Sequence, residues 1–331
     1  MQFCKKITAV IVGSAVLFCA CSGKSNSLST NATTETSAPK EVEVVTFNAD
    51  SAYARVVEQV AMGPRVPGSD ANAKLGRYIV DYLKRNGADT VLIQRTNADV
   101  AGKSTPIANI MGRYGVDRLK RVILLAHYDT RPIADEDPDE AKRSWPIDGA
   151  NDGASGTGVL LEIARIMGEQ MPDSIGVDIL FVDAEDSGDS GNDDSWCIGT
   201  KEWVKQMPYK IGMKPRFGIL LDMVGGRNAV FHREYFSEQA ARSINDKVWS
   251  RAAVSGFGSR FPNEVGIPVV DDHVPLIKAG IPTIDIIENR NPSTGYFNPT
   301  WHTHADNMSN IDKETLGVVG QVVVNTLYNE K

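Results

Sequence analysis

The chemistry in this chain is concentrated in a few short polar runs: His127-Tyr128-Asp129, the loop Asp148-Gly149-Ala150-Asn151-Asp152-Gly153, the pair Glu185-Asp186, Asp222, and His302 just after Trp301. Imidazole nitrogen with carboxylate oxygen is a donor set that suits zinc, whereas a structural zinc would ask for cysteines. Three protein ligands with one open position is the layout of a catalytic zinc. Adjacent carboxyl groups are also candidates for general acid–base work, because burial beside a like charge raises a carboxyl pKa toward neutrality. Taken singly, each run could be ordinary surface chemistry. A His-x-Asp at a strand end is commonly a hydrogen-bonded surface pair, neighbouring acids are commonly solvated, and Asp152 stands where a helix cap belongs. Taken together, such runs at successive strand ends are harder to dismiss, since buried carboxylates need a cation or a shared proton.

Those strand ends are themselves read from the sequence. The runs Val122–Ala126, Val177–Val182, Phe217–Leu221 and Thr283–Ile287 are short and almost wholly apolar, the pattern of central strands covered on both faces. Thr90–Thr96 and Ile107–Tyr114 alternate instead, as half-buried antiparallel strands do. Helical spacing marks Asp50–Ala61, Asp70–Asn86, Ala154–Met167, Thr200–Met207, Glu238–Val254 and Lys313–Tyr328. Strand and helix in alternation predict a three-layer α/β sandwich, with a central mixed, mostly parallel sheet flanked by helices. Ligands in open α/β sheets bind at the carboxyl ends of the strands, which is where the polar runs fall.

With 331 residues, 42% hydrophobic and 23% charged, the chain has a globular composition and the length for one large domain. A formal charge of -7 argues against nucleic acid or an anionic membrane surface as the main partner. Lys5-Lys6, the apolar stretch from Ile7 to Phe18, and Cys19-Ala20-Cys21-Ser22 read as an export signal over 1–20. Cys21 is the expected site of lipidation, 21–42 a flexible tether, and 43–331 a single catalytic domain, placing the protein in the periplasm on a lipid anchor. Beyond the leader and anchor only Cys197 remains, so no intramolecular disulfide framework is expected and this thiol reads as a small buried side chain.

His127-Tyr128-Asp129, Gly149-Ala150-Asn151-Asp152-Gly153-Ala154-Ser155-Gly156, Glu185-Asp186, Leu221-Asp222-Met223 and Trp301-His302-Thr303 resemble the ordered landmarks of the zinc aminopeptidase-like superfamily, over about 45–330. Within it, Trp301 directly before His302 and Asp271-Asp272-His273-Val274-Pro275 resemble the glutaminyl cyclases. His127 to Pro132, with Asp135-Glu136-Asp137-Pro138-Asp139, is similar to their bacterial branch. The resemblance implies one zinc per chain, held by Asp152, Asp186 and His302, polarising the γ-carboxamide of an N-terminal glutamine on peptide and protein substrates. It implies Glu185 as the proton shuttle, Asp222 and Asp271 as its acidic neighbours, and Trp301 and His273 beside the substrate. Asp186 departs from the Glu usual in the animal cyclases, and the shorter ligand calls for a shifted backbone or metal. A monomer is expected.

The same ligand types would serve a two-zinc aminopeptidase, with His127 and Asp222 on a second metal, Asp152 bridging and Glu185 activating water. A binding ectodomain that had lost its chemistry would be expected to lack Glu185 or a zinc ligand, and both are present. Serine hydrolysis finds no Gly-x-Ser-x-Gly elbow; Gly153-Ala154-Ser155-Gly156 reads as a tight turn into a helix.

Overall fold

Side chains alternate across a strand, so a strand apolar at every position must be roofed on both sides. A computed structural model, which describes residues 45–210 and 212–331, shows how this chain does so. In chain order its main elements are α1 (Ala49–Val60), α2 (Asp70–Arg85), β1 (Thr90–Val100), β2 (Lys103–Tyr114), β3 (Arg121–His127), α3 (Ala154–Glu169) and β4 (Gly176–Val182). There follow α4 (Ile198–Lys205), β5 (Phe217–Leu221), α5 (Tyr235–Val254), α6 (His273–Lys278), β6 (Thr283–Ile286) and α7 (Lys313–Tyr328). The expected leader and tether lie outside the described residues, among which no helix is long and apolar enough to cross a membrane.

The strands form one six-stranded sheet in the order β1-β2-β4-β3-β5-β6. β1 with β2 and β2 with β4 are antiparallel; β3 with β4, β3 with β5 and β5 with β6 are parallel. The mixed, mostly parallel sheet of an α/β sandwich is therefore present as expected. Val122, Leu124 and Ala126 of β3, Ile179 and Phe181 of β4, and Ile219 and Leu221 of β5 share one face with the buried sides of α1, α3, α5 and α7. Ile123, Leu125, Leu180, Val182 and Leu220 turn the other way, onto Trp203 of α4 and Leu276 of α6. Apart from Asp178 of β4, paired with Arg121, and Thr283 and Asp285 of β6, the faces of the parallel strands are apolar, and polar chemistry gathers at their ends.

Four elements differ most from the sequence expectation. β1 and β2 run on to a hairpin tip at Ala101-Gly102, whose φ values of 49° and 78° suit the left-handed turns that hairpins favour. Pro106 argues against a strand there and Ala98 is too small to signal a core, which hides the extension. α6 has six residues and carries Pro275, too short for helical periodicity to register. α5 begins at Tyr235, ahead of the expected Glu238, because the Glu234 carboxylate accepts the N–H groups of Phe236 and Ser237 as its cap.

The first turn of α3 lies hard against the end of β5, and only glycine permits this. A Cβ on Gly156 would fall 2.1 Å from the Leu221 carbonyl oxygen. Gly156→Ala is expected to lower stability by about 1–3 kcal/mol, as overpacking does. A urea unfolding midpoint equal to that of the parent would show that α3 can move away.

Candidate active site

The polar runs converge because each follows a neighbouring strand. His127 ends β3, Glu185 and Asp186 follow β4, Asp222 follows β5, Asp152 sits on the turn into α3, and Asp271 precedes α6. Asp152, Glu185, Asp186, Asp222, Asp271, Trp301 and His302 line one cavity of about 390 Å³, a size suited to a small substrate group. Its remaining walls include Trp196, Phe236, Val269, Tyr296 and Phe297.

The donor set falls into two triads that share Asp152. One is Asp152, Asp186 and His302; the other is His127, Asp152 and Asp222, and all are buried. His302 Nε2 lies 3.1 Å from Asp186 Oδ1 and 3.7 Å from Asp152 Oδ2. Zinc bonds of about 2.0–2.1 Å in a tetrahedron set ligand atoms about 3.3 Å apart, so these spacings fit the ion. The shorter Asp186 thus reaches its neighbours without help. Its Oδ2 is buried and has no hydrogen-bond partner among the described residues, as a metal-directed oxygen would. Asp152 is not spent on capping, since α3 carries no side-chain cap.

His127 stands at the crossing point. Its Nε2 is 3.1 Å from both Asp222 Oδ1 and Asp152 Oδ1, and its Nδ1 is 3.5 Å from Asp129 Oδ1. Burial alone would lower its pKa; the contacts with Asp129, Asp152 and Asp222 outweigh that and raise it well above the usual range. Burial likewise opposes the charge on His302, and Asp186 and Asp135 overcome it, bringing the imidazole up to about 9.

Glu185 lies beyond the first triad, grouped with Asp271 and Cys197. Burial, then the charge of Asp271, push its carboxyl well above the ordinary glutamate value, with His127 opposing. Asp271 is brought up to about 7 by burial and Asp222, and Asp186 to about 6 by burial and Asp152. Cys197, buried as expected, donates its S–H to Glu185 Oε1 at 3.5 Å.

His273 does not line the cavity. It is wholly buried at the start of α6, with Nε2 3.0 Å from Glu234 Oε2 and Nδ1 3.8 Å from Asp285 Oδ2. The expectation put it beside the substrate; here it is paired with Glu234, which also caps α5, and lies outside the lining of the cavity.

Sequence reading missed the residues that aim the ligands. Both oxygens of Asp129 are taken up by the backbone, accepting N–H from Glu185 at 3.1 Å and from Asp186 at 3.2 Å. Asp306 does the same for the other ligand loop, accepting N–H from Asn151 at 2.8 Å and from Asp152 at 3.0 Å. Buried Arg65 donates to the carbonyls of Asp148 and Gly149. Arg131 grips Asp135 through two 2.7 Å bonds and also donates to the carbonyls of Asp186 and Gly188. Asp135 in turn faces His302 Nδ1 at 3.2 Å, the outer carboxylate that metal-binding histidines usually have. The one signal in the sequence was the density of charge in 129–137 and 302–306. Ala184, Met223 and His302 adopt φ of 54°, 47° and 55°, each a left-handed conformation costing about 1–3 kcal/mol, and all three are at or beside the functional groups.

Residues 109–327 match the model of Peptidase family M28. This chain belongs to that family. It is 47% identical to the Bacteroides thetaiotaomicron glutaminyl cyclase bound to N-acetylhistamine, with a TM-score of 0.84 over 87% of this chain and 100% of that one. A Zn-dependent exopeptidase from Parabacteroides distasonis ATCC 8503 is 46% identical, with a TM-score of 0.83 over 87% of this chain and 100% of that one. Aminopeptidase YwaD of Bacillus subtilis (strain 168) is 28% identical over 295 residues, 85% of this chain and 58% of that protein. The chain therefore spans less than two thirds of that aminopeptidase. Family and donor set together support zinc as the metal of this M28 site.

Because Asp135 aims the His302 ring, Asp135→Asn is expected to weaken zinc retention about 10–100-fold in competition with a chelating indicator. Unchanged affinity would show that His302 needs no such support.

Proposed function

We propose that this M28 protein is a glutaminyl-peptide cyclotransferase, closing N-terminal glutamine into pyroglutamate and releasing ammonia, with one zinc held by Asp152, Asp186 and His302. The observation that carries this is the 47% identity along the whole length of the Bacteroides thetaiotaomicron glutaminyl cyclase. In the reaction the α-nitrogen bonds to Cδ of its own side chain, the bond from Cδ to the amide nitrogen breaks, and one proton passes from the α-amine to the departing ammonia.

When bound, zinc supplies Lewis acidity toward a carbonyl oxygen. The protein's own groups do the rest. Glu185, its carboxyl raised by burial and by Asp271, can accept the proton of the amine and return it to the leaving nitrogen. Asp271 and Asp222 line the same cavity and can accept hydrogen bonds from the neutral α-amine. Trp301, stacked on His302 at 3.7 Å between ring centroids, and Phe297 beside it wall the cavity with apolar surface that excludes water. The nucleophile is already tethered to its electrophile, so positioning the side chain supplies much of the rate.

A two-zinc aminopeptidase would draw on the second triad, His127, Asp152 and Asp222. The donors of that triad are spaced as in the first, His127 Nε2 standing 3.1 Å from Asp222 Oδ1 and from Asp152 Oδ1, so the count of zinc per chain separates the two readings: one supports the cyclotransferase, two the aminopeptidase. Export, with a lipid anchor at Cys21, belongs to the same proposal; the charged start, apolar run and Ala20-Cys21 support it.

Incubated with a Gln-headed and a Leu-headed peptide, the protein is expected to remove ammonia from the first and leave the second intact by mass spectrometry. Release of free leucine without ammonia loss would favour the peptidase. Glu185→Gln should retain zinc while turnover falls by about two orders of magnitude or more. Full turnover would remove Glu185 as the shuttle.

A further inference from the structure

Two helices begin at the catalytic acids and lead away from them. α4 starts at Cys197, whose thiol touches Glu185, and α6 starts just after Asp271. Between them, closed by the beginning of α5, is a second cavity of about 720 Å³. Its walls are half-buried apolar side chains, chiefly Phe236, Val270, Val204, Val274 and Ile277. Exposed Lys205, already paired with Glu202, and exposed Lys278 stand at the far ends of the two helices. The groove adjoins the catalytic cavity, with Asp193, Phe236 and Val270 lining both. From His273 to Lys278 the helix rises about 7.5 Å, the length of two or three residues of extended peptide.

We propose that this groove is the binding site for the substrate residues that follow the N-terminal glutamine. It selects peptides with apolar side chains in the second and third positions and a carboxylate beyond them. The inference rests on the cyclotransferase reading, which puts the glutamine in the acidic cavity and requires the chain to leave it. The chemistry of the walls then changes along the path. The α-amine lies among carboxylates, the next side chains meet Phe236, Val270, Val274 and Ile277, and a carboxylate further on meets Lys278. A groove whose walls are apolar between Asp193, shared with the catalytic cavity, and Lys278 at the far end would leave a Gly-rich segment without complementary contacts.

The test uses the zinc-loaded protein and three amidated or free peptides: Gln-Gly-Gly-amide, Gln-Leu-Phe-amide and Gln-Leu-Phe-Glu. Ammonia release is expected from all three, with kcat/KM about tenfold higher for Gln-Leu-Phe-amide than for the glycine peptide, as burial of one or two apolar side chains implies. The gain should lie in KM, and the terminal Glu should add a further increase that Lys278→Glu removes. Ile277→Asp should pull the ratio between the leucine and glycine peptides toward one. Lys278 is exposed, so its variant gives a result even where Ile277→Asp folds poorly. Equal kcat/KM for the three peptides would overturn the groove assignment while leaving the cyclisation reading intact. Absence of ammonia from all three would overturn both.

Discussion

Everything in this site depends on holding buried carboxyl groups together against their mutual repulsion. Asp152, Glu185, Asp186, Asp222 and Asp271 line a single cavity, each at most 8% exposed. Burial and like charge raise most of them, and two imidazoles partly offset the effect. Such a cluster persists only with a cation or shared protons in its midst. It is divided accordingly: Asp152 and Asp186 face His302, while Glu185 and Asp271 are grouped with Cys197. One pair suits a metal and the other suits a proton.

The fold answers that constraint with backbone, not with flexible side chains. Parallel strands deliver the groups to one edge, and Asp129 and Asp306 lock the two ligand-bearing loops by accepting pairs of backbone N–H groups. Arg131 joins Asp135 to the loop after Asp186, so the group aiming His302 and the loop carrying Asp186 share a single support. Left-handed backbone at Ala184, Met223 and His302 shows strain concentrated where the ligands are presented, stabilised by the dry, doubly covered sheet beneath.

The sheet and its helices were legible in the sequence because a continuous apolar run has to be covered on both faces, which in an alternating chain means a central strand. Val122–Ala126, Val177–Val182 and Phe217–Leu221 fall within or on the observed strands, and α7 matches its expected bounds. The convergence of Asp152, Glu185, Asp186, Asp222 and His302 followed from strand ends plus residue type. Supporting groups were not legible: Asp129 was seen only as half of a His-x-Asp pair, and nothing local shows that its oxygens bind N–H groups more than 50 residues away. His273 looked like a site residue through its neighbours, yet its ring is paired with Glu234, 39 positions earlier, outside the lining of the cavity. Long-range pairings of this kind leave no periodicity to read.

The most direct measurement is an anomalous-scattering map of crystals of the zinc-loaded protein, recorded across the zinc absorption edge. The account predicts a single peak bounded by Asp152, Asp186 and His302, with His127 still bonded to Asp222. A second peak among His127, Asp152 and Asp222, or no peak at the first triad, would contradict it.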